Sequence, residues 1–161
     1  MFADPRGFHN VHWMAVANDE EGLKRTLLQQ PNKIDEPDAA GKTALYWAAF
    51  LNNVEAVRIL AAGGANVNAQ DGEGVSALHA AATMGHSRAV EALLFYRADA
   101  EITDESGNTP LFYACSQGHL FCVRELVAAG ANPKRPNGHD VSPFDEAMRK
   151  GHQEIVDFLN S

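Results

Sequence analysis

The stretch "DESGNTPLFYACSQGHLFCVRELVAAGANPK", residues 104–134, follows the same pattern as "DGEGVSALHAAATMGHSRAVEALLFYRADAEIT", residues 71–103. A shift of 33 residues aligns the two stretches, and the same shift aligns apolar positions over most of the chain. Four such columns stand out: Leu45, Leu78, Leu111 and Phe144; Ala48, Ala81, Ala114 and Ala147; Val57, Val90, Val123 and Val156; Leu60, Leu93, Leu126 and Leu159. The chain is therefore an array of similar units.

Each unit is predicted to form two short antiparallel helices. The first helix begins after a hydroxyl residue that can cap it, and Ala or Pro follows at the first helical position; these caps are Thr43, Ser76, Thr109 and Ser142. The Leu and Ala columns lie three residues apart on the first helix, and the Val and Leu columns lie three apart on the second. Because such a pair cannot bury its apolar face alone, neighbouring units must stack.

Glycine positions predict where the helices end. The dipeptides Gly85-His86, Gly118-His119 and Gly151-His152 recur at the 33-residue interval, with Asn52-Asn53 at the same place in an earlier unit. Gly or Asn there suits a left-handed residue at the end of the first helix. The second helix closes at Gly64 and Gly130, and the aligned residue in the intervening unit is Arg97, for which we expect a strained positive φ.

The two quoted stretches resemble ankyrin repeats. The family pattern of Asp, Gly, Thr-Pro-Leu-His, Ala-Ala and Gly-His is matched well from Asp38 to about Lys134 and in a degraded form to Ser161. The resemblance implies an all-α ankyrin-repeat solenoid of stacked helix-turn-helix units joined by hairpin-like loops. We expect a single domain, residues 1–161, with five repeats at approximately 5–37, 38–70, 71–103, 104–136 and 137–161.

The first and last units diverge as caps of the array. In the first unit the alignment puts Asn10 at the N-cap, His12 in the Leu column, Ala15 in the Ala column, Lys24 in the Val column and Leu27 in the second Leu column. The last unit has Asp140 in the Gly column and Asp145 in place of the motif His, and Pro133 and Pro136 precede it. These changes leave the geometry of its loop open.

Composition excludes several classes of protein. A chain of 161 residues with 45% hydrophobic and 21% charged residues can bury a core without disulfides. Its net charge of -8 would repel nucleic acid and anionic membranes. No apolar run approaches the roughly 18 residues of a membrane span, so we expect no membrane insertion. Only two cysteines, Cys115 and Cys122, are present, which predicts an intracellular protein, cytoplasmic with a nuclear location as the alternative.

Metal sites and catalytic groups are not predicted. Histidines that recur once per unit lie in a row about 10 Å apart, too far to share an ion, so a hydrogen bond to the local turn is favoured. Cys115 and Cys122 are read as small buried hydrophobes, and His79 as a helix-start histidine bonded across repeats. The acidic stretch 98–106 lacks the order of a calcium loop and is read as a solvated loop. No nucleophile elbow, phosphate loop or zinc helix occurs, so we expect no enzyme activity and no cofactor.

The run "ALYWAAFLNN", residues 44–53, singles out a surface. Three of its residues belong to the shared core, and the rest lie off that stripe. The resemblance implies that these columns and the preceding loop tips line a concave groove that binds partners. The predicted partner-binding residues are Tyr46, Trp47, Phe50, Leu51, Met84, Phe112, Tyr113, Lys42, Glu73, Val75, Glu105 and Asn108. We expect Phe50 and Leu51 to be exposed and Ala80 to leave a dip, while Tyr46 and Trp47 either pack or bind.

The predicted function is a non-catalytic protein–protein interaction module, a monomer when unbound, whose partner has an apolar ridge and basic flanks. One alternative is a regulatory inhibitor of a kinase or transcription factor. Another is a recognition domain cut from a larger enzyme or channel. A third is that the array is itself a substrate, hydroxylated at Asn68, where ankyrin repeats of some lineages carry that modification.

Overall fold

Ten α-helices, arranged as five pairs, form the part of the chain that the computed structural model describes, residues 6–161. The first helices of the pairs are α1 (Asn10–Ala17), α3 (Ala44–Phe50), α5 (Ala77–Met84), α7 (Pro110–Gln117) and α9 (Pro143–Lys150). The second helices are α2 (Glu20–Gln29), α4 (Val54–Ala62), α6 (Ser87–Phe95), α8 (Leu120–Ala128) and α10 (Gln153–Asn160). A 3-10 turn, Pro31–Lys33, follows α2, and these described residues contain no strand. The all-α prediction is confirmed.

The helices stack in two layers. Each first helix packs on the first helix of the next unit, and each second helix packs on its counterpart. The predicted Ala column is completely buried, as are the Leu and Val columns through the fourth unit, whereas Phe144 and Leu159 in the fifth are half-buried. The core thus runs continuously between the two helix layers. The last unit has a neighbour on one side only, so its part of the core is less buried.

The predicted caps are confirmed. The hydroxyls of Thr43, Ser76, Thr109 and Ser142 each accept a hydrogen bond from the backbone N–H three residues later, at 3.1–3.4 Å. At the other end of the first helix, Gly85, Gly118 and Gly151 have φ of 75–80°, and Asn52 has φ of 59°. Each of these residues occupies the left-handed conformation that ends an α-helix without steric cost to glycine and at low cost to asparagine.

The alignment of the first unit is wrong by one residue. Asn10 is the first residue of α1 rather than its N-cap, which is His9. Val11 therefore occupies the buried position assigned to His12, and His12 takes the place of the motif histidine. The cause is that α2 has ten residues where α4, α6 and α8 have nine, so one extra residue displaces everything before it.

The loop of the last unit keeps the geometry of the others. Asp140 has φ of 58°, the left-handed conformation that Gly74 and Gly107 adopt at the same place. Asn137 N–H donates to the Val141 carbonyl at 3.0 Å and closes the loop. Asp145 accepts from the Ser142 N–H at 3.1 Å and so caps the helix in place of the motif histidine. Aspartate serves at both positions because its short polar side chain tolerates positive φ and can cap a helix.

Arg97 adopts the predicted positive φ, 67°, where Gly64 and Gly130 have 93° and 97°. We expect Arg97→Gly to raise the free energy of unfolding by about 1 kcal/mol, because glycine has no Cβ to be strained in this region. The measurement is the urea midpoint with an unchanged denaturant slope. Arg97→Ala is the control, since it keeps the Cβ and should give no such gain. A lower midpoint for Arg97→Gly would contradict the assignment of strain.

Candidate functional site

A hollow of about 210 Å³ lies on the side of the array formed by the first helices, between the second, third and fourth units. Its walls come from α3, α5 and α7 and from one loop, and its lining residues are Tyr46, Phe50, Val75, His79, Ala80, Thr83, Met84 and Tyr113. Five of the predicted partner-binding residues are among them. Trp47, Leu51 and Phe112 lie outside the lining, next to it in sequence.

The hollow exists because one column lacks a large side chain. Trp47, Ala80 and Tyr113 occupy the same position in three successive units. Ala80 is 5% exposed and lines the hollow, so the space between its larger neighbours is left open. The dip that was predicted at Ala80 is present. His79 and Thr83 were missed as lining residues, although their columns also contain Tyr46 and Phe50 and could have identified them.

Tyr46 and Phe50, which form one wall of the hollow, belong to a larger aromatic cluster. The Tyr46 and Phe50 rings stack with centroids 6.1 Å apart, and the Trp47 ring meets Phe50 edge-on at 5.8 Å. Phe8, which was not predicted, adds a ring 5.4 Å from Trp47. These contacts leave Phe50 half-buried, so the prediction that it is exposed is wrong. Leu51 is exposed as predicted, at 42%.

Two aromatic side chains of this surface are held by their polar ends. Trp47 Nε1 donates to Asp38 Oδ2 at 2.8 Å, and the Tyr113 hydroxyl donates to Asp104 Oδ2 at 2.6 Å. Burial raises the pKa of Tyr113, and the hydrogen bond to Asp104 raises it further, so the phenol remains a donor. The other oxygens of the two aspartates accept backbone N–H groups of their own loops. Trp47 and Tyr113 therefore pack in part, and their orientation is set before any partner arrives.

We call the four loops between units, residues 38–42, 71–75, 104–108 and 137–141, the hairpin loops, because in each the first N–H donates to the last carbonyl. Two predicted contact residues in them bind within the scaffold. Lys42 Nζ pairs with Asp71 Oδ2 at 2.8 Å and lies 4.9 Å from the Tyr46 ring centroid. Asn108 accepts from Asn137 Nδ2 at 2.7 Å through its side chain. Both are half-buried, so neither is a free rim residue.

Glu73 and Glu105 are exposed at the tips of their hairpin loops, as predicted. The Glu105 N–H donates to the Glu73 carbonyl at 3.0 Å, so the two tips are adjacent. Burial raises the pKa of Tyr46, and the negative charge of Glu73 is among the further causes. The same charge contributes to the raised pKa of Tyr113, after burial and Asp104. Glu73 belongs to the same hairpin loop as Val75, which lines the hollow.

The recurrent histidines bind across units, so the predicted bond to the local turn is wrong. His86, His119 and His152 each place Nε2 3.0 Å from a carbonyl oxygen of the preceding first helix or its end, those of Phe50, Thr83 and Ser116. Sequence spacing alone does not show this partner, because it lies 36 residues away. The prediction for His79 is confirmed, since its Nε2 lies 3.0 Å from the Asn108 carbonyl oxygen.

The other candidate ligands have structural roles. Burial raises the pKa of Cys115 to about 12 and of Cys122 to about 11, so both remain thiols in the core. Within residues 6–161, no group of three or more His, Cys, Asp or Glu side chains is placed to hold a metal ion. Glu101 accepts from the Asn132 N–H at 2.7 Å and pairs with Arg135 at 2.8 Å, so this residue of the stretch 98–106 joins two units at the solvated surface.

No helix within the described residues has the length and apolar character needed to cross a membrane.

The main functional feature of the first-helix side of the array is the hollow with its aromatic wall and the acidic tips of the hairpin loops. These groups are suited to recognition, because rigid aromatic and apolar side chains supply contact area and the exposed charges select among partners.

Comparison with known proteins agrees with the fold. A family model described as "Ankyrin repeats (3 copies)" matches residues 11–104 and 85–161. The human and mouse "Neurogenic locus notch homolog protein 1" are 40% identical over 50 residues, which is 31% of this chain and 2% of those proteins. The human "DNA-binding protein RFXANK" is 34% identical over 57 residues, 35% of this chain and 22% of that protein. Ankyrin repeats are general protein–protein interaction modules. The family model spans more than half of the sequence, and the chain therefore belongs to the ankyrin-repeat family.

Proposed function

We propose that this chain is a non-catalytic interaction module that binds a partner protein by taking one of its apolar side chains into the hollow over Ala80. The observation that carries this proposal is the convergence of Tyr46, Phe50, Met84 and Tyr113 on that hollow. Pockets for drug-sized ligands measure about 300–1,000 Å³. At about 210 Å³ the hollow suits a single side chain better than a small-molecule substrate.

The walls support this role because they are preorganised. Tyr113 is fixed by a hydrogen bond to Asp104 of a hairpin loop. Tyr46 and Phe50 are fixed by ring contacts with each other and with Trp47, which is itself bonded to Asp38. A rigid site loses little conformational entropy when it binds. Met84, 44% exposed, is the flexible member of the lining and can adjust to the shape of the side chain that enters.

The family is typically non-catalytic, which agrees with an interaction role. One relative is named as a DNA-binding protein, but the net charge of -8 argues against a phosphate backbone as the ligand here.

The chain spans only 2% and 22% of the length of the relatives it matches. A regulatory inhibitor, or the recognition domain of a larger enzyme or channel, remains the second proposal, and either would use the same surface. We place the interaction in the cytoplasm or nucleus.

The test is affinity capture from the source cell with the wild-type chain, Ala80→Tyr and Phe50→Ala. The Ala80 column already contains Trp47 and Tyr113, so a tyrosine there should fill the hollow without unfolding the array. We expect Ala80→Tyr to lose the partner and Phe50→Ala to weaken its binding by about 2 kcal/mol, roughly thirtyfold. Circular dichroism and the urea midpoint check that both variants fold.

Phe95→Ala is the matched control, because Phe95 is 72% exposed on α6, in the other helix layer. It removes the same side chain as Phe50→Ala and should leave capture unchanged. Trp47→Ala is a poorer test, since it also removes the hydrogen bond to Asp38. Equal capture of the same partner by wild type and Ala80→Tyr would overturn the proposal, and unfolding of Phe50→Ala would place Phe50 in the core.

A further inference from the structure

The hairpin loops beside the hollow carry an excess of negative charge. The three loops 38–42, 71–75 and 104–108 contain one cationic side chain, Lys42, and five carboxylates, those of Asp38, Asp71, Glu73, Asp104 and Glu105. The ammonium group of Lys42 is bound by Asp71 and faces the Tyr46 ring. The local charge next to the hollow is therefore negative even after this ion pair is counted.

Three of the five carboxylates have partners within the fold. Asp38 accepts from the Trp47 indole, Asp71 pairs with Lys42, and Asp104 accepts from the Tyr113 hydroxyl. Glu73 and Glu105 differ, because both side chains are exposed and neither forms an ion pair with any residue of 6–161. These two carboxylates are available to a partner.

Glu73 and Glu105 lie at the tips of hairpin loops beside the hollow. The backbone hydrogen bond from Glu105 to Glu73 holds the two tips side by side. Glu73 lies two residues before Val75, which lines the hollow, in the same hairpin loop. A chain that inserts a side chain over Ala80 therefore lies next to the hairpin loop that carries Glu73, and the tip with Glu105 adjoins that loop.

We infer that the segment bound by this surface is a basic peptide segment of another protein, with Lys or Arg within a few residues of the apolar side chain that enters the hollow. This inference rests on the proposed function and adds the chemistry of the partner. An acidic segment would be repelled by Glu73 and Glu105, whereas a basic one is attracted and oriented by them. Because the two carboxylates are exposed, each contributes only modestly to the affinity, and both also raise the rate of association.

The first test uses a random twelve-residue peptide library displayed on phage and selected in parallel on the wild-type chain and on Ala80→Tyr. Peptides that bind only the wild type are those that need the hollow. We expect these peptides to contain a large aliphatic or aromatic residue with Lys or Arg close to it. Their synthetic versions then give dissociation constants by fluorescence anisotropy.

The second test measures the same peptides on a Glu73→Gln/Glu105→Gln double variant. We expect binding to be weakened about three- to tenfold, and a similar loss for the wild type when NaCl rises from about 50 to about 300 mM. The control is Glu91→Gln/Glu125→Gln, which makes the same charge change at exposed residues of α6 and α8. It should change binding by less than about twofold, because those residues belong to the other helix layer.

The outcomes separate this inference from the proposed function. Peptides that need the hollow but show no excess of Lys and Arg, or that bind the Glu73→Gln/Glu105→Gln variant as tightly as the wild type, would overturn the inference alone. A selection that yields no peptide dependent on the hollow would overturn both. Self-association in sedimentation that is lost in Ala80→Tyr would identify a second copy of the chain as the occupant and would also overturn the inference.

Discussion

Replacing Gly85 by alanine is expected to lower the free energy of unfolding by about 3 kcal/mol, through a combination of backbone strain and overpacking. Gly85 has φ of 75°, and a Cβ at this residue would lie 2.6 Å from Nδ1 of His119. The imidazole cannot easily move aside, because its Nε2 is bound to the Thr83 carbonyl. The added methyl group must therefore displace a ring that joins two units.

Gly151→Ala is a matched control. Gly151 has nearly the same φ, 76°, but a Cβ there meets nothing within 4 Å. We expect this variant to lose only about 1 kcal/mol, the cost of positive φ for a residue with a Cβ. Urea unfolding followed by circular dichroism measures both variants. Equal losses would show that the His119 ring yields without cost and that only the backbone conformation matters.

His79→Leu is expected to lower the free energy of unfolding by about 3 kcal/mol at about pH 7.5. His79 is 1% exposed, accepts from the Ser76 N–H through Nδ1 at 3.1 Å, and places Nε2 3.0 Å from the Asn108 carbonyl oxygen. Leucine fills a similar volume but leaves the buried Ser76 N–H without a partner, at about 1–3 kcal/mol. It also removes one hydrogen bond, about 1 kcal/mol, from the Asn108 carbonyl, which keeps the Asp104 N–H as a donor. The urea midpoint of the variant measures the loss.

The same histidine makes stability depend on pH. Burial lowers the pKa of His79, and also that of His12, below the usual value of 6.5. The unfolded chain then binds protons that the folded chain excludes, so this contribution to stability is complete above pH 6.5 and is lost as the pH falls towards the lowered pKa. The slope is up to about 1.4 kcal/mol per pH unit for each histidine.

The difference in free energy of unfolding between the wild type and His79→Leu should therefore be smaller at about pH 5.5 than at about pH 7.5, since leucine cannot titrate. His139→Leu is the control, because His139 is exposed in the last hairpin loop and should leave stability unchanged at both values. A gap of constant size would mean that His79 takes up a proton in the fold as readily as in the unfolded chain.

The sequence was sufficient to predict the architecture of units two to four, because their periodic columns and caps repeat at a constant interval. The first unit was misaligned because one extra residue in α2 leaves no mark in composition or periodicity. A fixed interval of 33 residues cannot accommodate an insertion inside a helix. The dip at Ala80 was predictable, because a missing volume in a column is visible as a small residue between two large ones.

The burial and the binding partners of individual residues around the hollow were less predictable. Phe50 is half-buried because of the ring orientations of Tyr46 and Trp47, and these depend on packing across units rather than on helix position. Lys42 looked like a rim residue from its place in the loop, but its carboxylate partner, Asp71, lies 29 residues away. Spacing predicts which face a residue occupies, and it does not predict which distant group that residue binds.

The row of histidine bonds has a consequence for how the array comes apart. Each of His86, His119 and His152 satisfies a carbonyl oxygen that belongs to the unit before it, so no unit is complete without its neighbour. The free energy of unfolding is then the sum of terms within units and terms between neighbouring units. We expect unfolding to begin at the ends of the array or to involve two adjoining units together. The Phe50 carbonyl is one of these acceptors, so the wall of the hollow is also a link in the chain. We therefore expect a partner that contacts Phe50 to stabilise the third unit as well, through the bond to His86.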